Sequence, residues 1–251
     1  MPEPQSTPAT PGSPGLVWDL PTRFLHWSIA GLFLGAFVLA VTGSEHSSLF
    51  LSHAALGLIL GFAVLLRILW GLWGSRPSRF KNFLFSPLQV FRYLGAALKG
   101  KDRSYGGHNP GASYGIFAML LLILGIVATG IALGRGVRGA EELHGVLAYA
   151  LMAVVGLHLA GLAWHAVRHR ENLAMSMVDG KRREPGADAI PSARPWAGLA
   201  VLLLLGTWGM SVLRGFDAGK RQIVLPGLGT PLVLGESDTA GHREADHGED
   251  D

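Results

Sequence analysis

The 251-residue chain has ten histidines, and among those inside long apolar runs are His26, His53, His144 and His158. Imidazole is the commonest metal ligand and the side chain that titrates closest to neutral pH, so histidines in such surroundings read as ligands to metal centres or as a proton or divalent-ion pathway. His144 and His158 are fourteen residues apart on one run. At roughly 100° per residue a helix returns to within about 40° of its starting direction over that distance, so the two share a face. There are no cysteines. Their absence excludes covalently attached c-type haem, thiolate-held iron–sulfur clusters and disulfides, and leaves His, Met, carboxylate or a non-covalent group to hold a metal.

The elements that carry these histidines are set by composition. Of all residues 49% are hydrophobic, mean hydropathy is positive, and five segments contain no Asp, Glu, Lys or Arg: Phe24 to Ser44, Leu49 to Leu66, Pro110 to Gly134, Leu143 to Val167 and Trp196 to Leu213. Each is near or above the roughly 18–20 residues that cross a bilayer as a helix. Leu, Ala and Gly dominate without strand-like alternation, and a soluble bundle would show amphipathic faces instead. The fold class is therefore all-α and integral to the membrane, with lipid as its solvent.

Lys and Arg orient it. Residues 74–110 carry seven and 168–194 carry six, against none in 42–49 and two in 134–142, so the two rich segments belong on the cytoplasmic side. Five spans then put the amino terminus inside and the carboxyl terminus outside. The net charge of +3 is a topology signal, with no nucleic-acid partner implied.

Depth now pairs the histidines. His26 lies near the inner end of the first span and His53 near the outer end of the second, while His144 is outer and His158 about 21 Å deeper on the fourth. Each half of the membrane receives two imidazoles from two helices, which is the arrangement a haem iron ligated from both sides needs. The expected pairs are His53 with His144 and His26 with His158, holding two non-covalent b haems. Arg67, fourteen residues after His53, reaches the depth of the inner haem; it would balance a propionate or snorkel to the interface. Arg23, one turn before His26, has the same two readings. His165, two turns beyond His158, lies at the surface, with propionate or quinone contact as its functional alternative. His46 and His108 in loops, His169 in a basic run, and His242 and His247 in the tail are not read as iron ligands. The competing function, a histidine-lined ion transporter, is weakened by the lack of any carboxylate within a span.

Local sequence then adds a resemblance. Val17-Trp18-Asp19-Leu20-Pro21-Thr22-Arg23-Phe24-Leu25-His26-Trp27 resembles the opening of the bacterial cytochrome b561 family, which includes the b-type cytochrome subunits of nickel–iron hydrogenases. His53 through Gly57, Leu66-Arg67-Ile68-Leu69-Trp70-Gly71, Gly107-His108-Asn109-Pro110 and His158 through Leu173 are similar to later parts of that family, in order, over residues 16–183. The resemblance implies a four-helix bundle with two stacked b haems on His26, His53, His144 and His158, in a bacterial inner membrane. It also implies electron transfer between a quinone pool and an outer-face partner such as a c-type cytochrome or an oxidoreductase subunit; some members instead act on superoxide, as stand-alone superoxide:quinone oxidoreductases.

The expected organisation is a disordered cytoplasmic tail at 1–15, a four-helix cytochrome domain at 16–184, a linker and fifth transmembrane helix at 185–214, and an acidic outer tail at 215–251. Asp19 or a neighbour should cap the first helix, with Pro21 in its first turn. From Glu236 to Asp251 there are seven carboxylates against one Arg, which would steer a basic soluble partner or simply be solvated.

Overall fold

Asp19 starts the first helix as its sequence suggests. In the computed structural model, which describes residues 14–43, 48–101, 107–183, 185–217, 222–224 and 231–233, the Asp19 carboxylate accepts from the Thr22 backbone N–H at 3.0 Å, and Pro21 occupies the first turn of α1 (Leu20–Thr42). Its missing N–H costs nothing there. Helix α2 (Ser48–Trp73) extends beyond the charge-free run that ends at Leu66 and includes Arg67, as expected. The Arg67 side chain is buried within the protein, 7% exposed.

The basic connection after α2 holds a helix that charge counting passes over. Helix α3 (Pro87–Leu98) begins with a capping box in which Ser86 Oγ accepts from the Gln89 N–H and the Gln89 side chain accepts from the Ser86 N–H. Two orphan donors are satisfied at once. Asn109 caps α4 (Pro110–Leu133), accepting from Ala112 N–H at 2.8 Å. A tight connection through Gly136 and Gly139, both at positive φ, leads into α5 (Ala140–His169), 30 residues long. The short α6 (Leu173–Asp179) follows, and α7 (Pro195–Arg214) is the last helix among the described residues.

Five of these helices, α1, α2, α4, α5 and α7, are long and apolar enough to cross a membrane. Helices α1 and α2 pack as one antiparallel pair and α4 and α5 as another, joined through α2 and α4. The fifth spanning helix lies against α1 and α2. Gly198 permits that approach, since a Cβ there would meet Leu20 Cβ at 2.8 Å; farther along, Trp208 stacks on Phe62 at 4.9 Å and donates to the Leu58 carbonyl.

Small strands close both ends of this all-α body. Gly15–Leu16 (β1) pairs antiparallel with Lys181–Arg182 (β2), so the end of the amino-terminal segment is paired and not loose. Phe216–Asp217 (β3), Gln222–Val224 (β4) and Pro231–Val233 (β5) form an antiparallel sheet at the start of what composition reads as a tail. Ile223 is fully buried against Ala55 and Val212. Apolar burial folds this segment back onto α2 and α7. The acidic run from Glu236, with His242 and His247, lies outside the described residues, as do His46 and the first thirteen residues.

Candidate functional site

Two histidine levels are separated by an apolar plug. Leu60 and Val64 of α2, Leu120 and Ile123 of α4, and Leu151 of α5 form one buried cluster. Leu151 stands seven residues from each of the two α5 histidines, about 10 Å along the axis in either direction.

At the level near the start of α2, the rings of His53 and His144 lie 6.0 Å apart, centroid to centroid, with their planes at 77°. The His53 Nδ1 is 2.8 Å from the Ala36 carbonyl oxygen on α1. The His144 Nδ1 is 3.0 Å from the Ile126 carbonyl on α4 and 3.1 Å from Thr129 Oγ1. A carbonyl only accepts, so each Nδ1 must carry the proton and each Nε2 the lone pair. Gly130 makes room for the ring: a Cβ there would touch His144 Cε1 at 3.4 Å.

At the opposite level, His26 lies within electrostatic reach of both His158 and Arg67. The His26 Nδ1 is buried without a hydrogen-bond partner, and its ring meets Trp27 edge-on at 5.2 Å. Beneath it is a polar network on the Asp19 carboxylate, which accepts from Thr22 Oγ1 at 2.5 Å and from Trp70 Nε1 at 3.2 Å. Thr22 Oγ1 also lies 2.6 Å from Ser78 Oγ. Arg67 sits beside this network, over the Phe80 ring at 5.2 Å and 3.5 Å from the Ser78 carbonyl. It is a buried cation and not a snorkelling one.

His108 joins this end, although the sequence places it in a loop. Its ring is held between Trp18 at 4.8 Å and Phe83 at 4.3 Å. Burial pushes its pKa down to about 3, helped by the charges of Arg67 and His158 and opposed by a hydrogen bond to the Pro77 carbonyl. Its Nδ1 has no partner. Only the adjacent Asn109-Pro110 helix start hints that His108 is anchored; nothing in the sequence signals its burial.

The remaining expected contacts are distributed differently. Arg23 donates from its terminal nitrogen to the Val178 carbonyl, tying α1 to α6, while its Nε is buried and unpartnered. His165, expected at the surface, is instead buried, with Nε2 3.6 Å from Glu171 and its ring 4.4 Å from His169. Glu171 receives two hydrogen bonds from Arg182, at 2.9 and 3.1 Å. Partial burial opposes the charge on Glu171, yet Arg182 prevails and holds the carboxyl below its usual range.

A family model described as prokaryotic cytochrome b561 matches residues 17–180. The chain belongs to the prokaryotic cytochrome b561 family. As a member of that family it is a multi-pass membrane b-type cytochrome, a haem protein of electron transport, and this decides between haem and the ion pathway. A probable Ni/Fe-hydrogenase B-type cytochrome subunit of Bradyrhizobium diazoefficiens is similar to it, 24% identical over 211 residues that span 66% of this chain and 85% of the relative. No solved structure matches the chain.

The donors of this cytochrome suit b haem. Two imidazoles bound to one iron through bonds of about 2 Å each, with about 1 Å more from each nitrogen to its ring centre, have centroids about 6 Å apart. That is the His53–His144 spacing. Anchoring of Nδ1 on a backbone carbonyl is the outer support that metal-bound histidines generally have, and Nε2 is then the atom that would ligate. Among the described residues no three His, Asp or Glu side chains cluster as a bare ion would require.

Proposed function

We propose that this cytochrome holds two b haems, one on His53 and His144 and one on His26 and His158. It conducts electrons across the membrane between a quinone pool and a redox partner on the other face. The haems supply one-electron redox chemistry when bound. The observation that carries the reading is the His53–His144 pair, 6.0 Å apart with both Nδ1 protons committed to backbone carbonyls.

The chain's own residues define the rest. His144 and His158 place the two sites on one face of α5, and the Leu60–Leu151 cluster keeps water from the space between them. Arg67, with Arg23 Nε, provides positive charge at the His26 level for a propionate; His165 is left to the Glu171 cluster. Lys and Arg between α2 and α4 and after α5 argue for a cytoplasmic His26 end and an outer His53 end. The hydrogenase-type name of the relative supports an oxidoreductase subunit as the partner, with a c-type cytochrome as the soluble counterpart.

A pyridine haemochrome assay on the purified chain, with oxidised and dithionite-reduced spectra, tests this directly. Two b haems per chain are expected. One haem would remove one of the pairs, and none in a folded, haem-supplied preparation would overturn the reading. Superoxide-dependent quinone reduction by the chain alone would replace the subunit role with that of a free-standing enzyme.

A further inference from the structure

Beyond the Asp19 network at the His26 level, an open cleft of about 500 Å³ lies between the end of α2 and the segment leading into α7. Arg76, Arg79, Lys81 and Arg194 line it, with Asn82 and Ser192 among the neutral polar groups. Among the described residues no carboxylate lines it, and none lies within ion-pair distance of these four cations. The nearby Asp188 carboxylate lies against Gly107 instead. Two of the cations are held by the fold: Arg79 Nε donates to the Gly74 carbonyl at 2.8 Å, and Arg194 lies over the Trp70 ring at 5.7 Å. Arg76 and Lys81 are exposed.

Four cations lining one cleft, none of them paired with a carboxylate among the described residues, in a space of the size that binds small ligands, select a compact anion with several acceptor oxygens. The surroundings specify where that anion comes from. Trp73 is 69% exposed and Trp196 82%, and both adjoin the cleft-lining segments in sequence, as aromatic residues do at headgroup level. Leu69 and Leu72 of α2, with Leu199 and Leu203 of α7, are exposed along the spans that lead away from it. A bilayer-facing apolar wall thus meets a basic cleft at a helix end, the setting in which anionic lipid headgroups bind.

We propose that this cleft binds a phosphate group, supplied by the headgroup of an anionic phospholipid whose acyl chains lie along α2 and α7. The assignment is independent of the haem reading.

The test uses the full chain, haem-loaded and delipidated in a neutral detergent. Binding is measured by native mass spectrometry against phosphatidylglycerol, phosphatidylcholine and inorganic phosphate. Saturable phosphatidylglycerol binding is expected, weakened about 30-fold by Arg76→Gln with Lys81→Gln and unchanged by Lys99→Gln with Lys101→Gln, which removes the same charge elsewhere. Inorganic phosphate binding with the same variant pattern, and no lipid binding, would keep the anion site and overturn the lipid as its source. Equal loss in both double variants, equal binding of phosphatidylcholine, or no binding of any probe would overturn the site. An unchanged haem spectrum in the variants establishes that they fold.

Discussion

His53 and His144 face each other from α2 and α5 with ring centroids 6.0 Å apart, each steered by a backbone carbonyl of a third or fourth helix, Ala36 on α1 and Ile126 on α4. All four helices of the bundle therefore help to build this one pair. Two supply the rings, and the other two fix the tautomers.

Replacing either ring should remove one haem and spare the other, because the Leu60–Leu151 cluster separates the levels. His53→Ala and His144→Ala are each expected to halve the haemochrome yield, and His26→Ala and His158→Ala to remove the other half. Loss of both haems from any one substitution would refute the pairing.

Gly130 offers a graded test of ring placement. A methyl group there reaches ordinary contact with His144 Cε1 at 3.4 Å, so Gly130→Ala should retain the haem held by His53 and His144. Gly130→Leu should displace the ring and lose that haem selectively, as read from reduced-minus-oxidised difference spectra.

Asp19 is fully buried and serves as helix cap, acceptor for Trp70 and counter-charge near Arg67. Asp19→Ala should destabilise the protein by about 2 kcal/mol or more, since a lost cap costs about 1 and the buried donors of Thr22 and Trp70 left without their acceptor about 1–3. Asp19→Asn retains the cap and should lie between. Thermal unfolding in detergent would rank the three proteins.

His108 gives the fold a pH dependence of known sign. An unfolded chain takes up a proton on this residue near its ordinary 6.5, whereas the folded chain does so only near 3. The contribution to stability is complete above about pH 6.5 and falls by about 1.4 kcal/mol per pH unit below it, until the folded-state value is reached. His108→Phe, which can fill the space between Trp18 and Phe83, should flatten the decline measured by thermal unfolding between pH 7 and 4.

Much of the site was legible because its signals are local. The Asp19 cap and the Pro21 first turn sit where the sequence places them, and the fourteen-residue spacing of His144 and His158 reports a shared face from periodicity alone. Arg67 illustrates the limit. Its depth follows from counting, but a charge in a sequence reads equally as a span end or as a buried cation, and only the packing of Ser78 and Phe80 around it separates the two. Ile223 was missed for a similar reason: it lies in a Pro- and Gly-bearing stretch whose burial depends on Ala55 and Val212, distant in sequence.

The sequence by itself determined the five spans and the four intramembrane histidines at two depths, because hydropathy and helical rise are properties of a continuous segment. The tertiary structure decided which ring nitrogen faces inward at His53 and His144, the enclosure of His108 by Trp18 and Phe83, the burial of Arg67, and the cleft formed by Arg76, Arg79, Lys81 and Arg194. Each of these depends on groups from separate elements meeting in space. Segment-level patterns carry depth and phase, but they do not carry the identity of a neighbour across a helix interface.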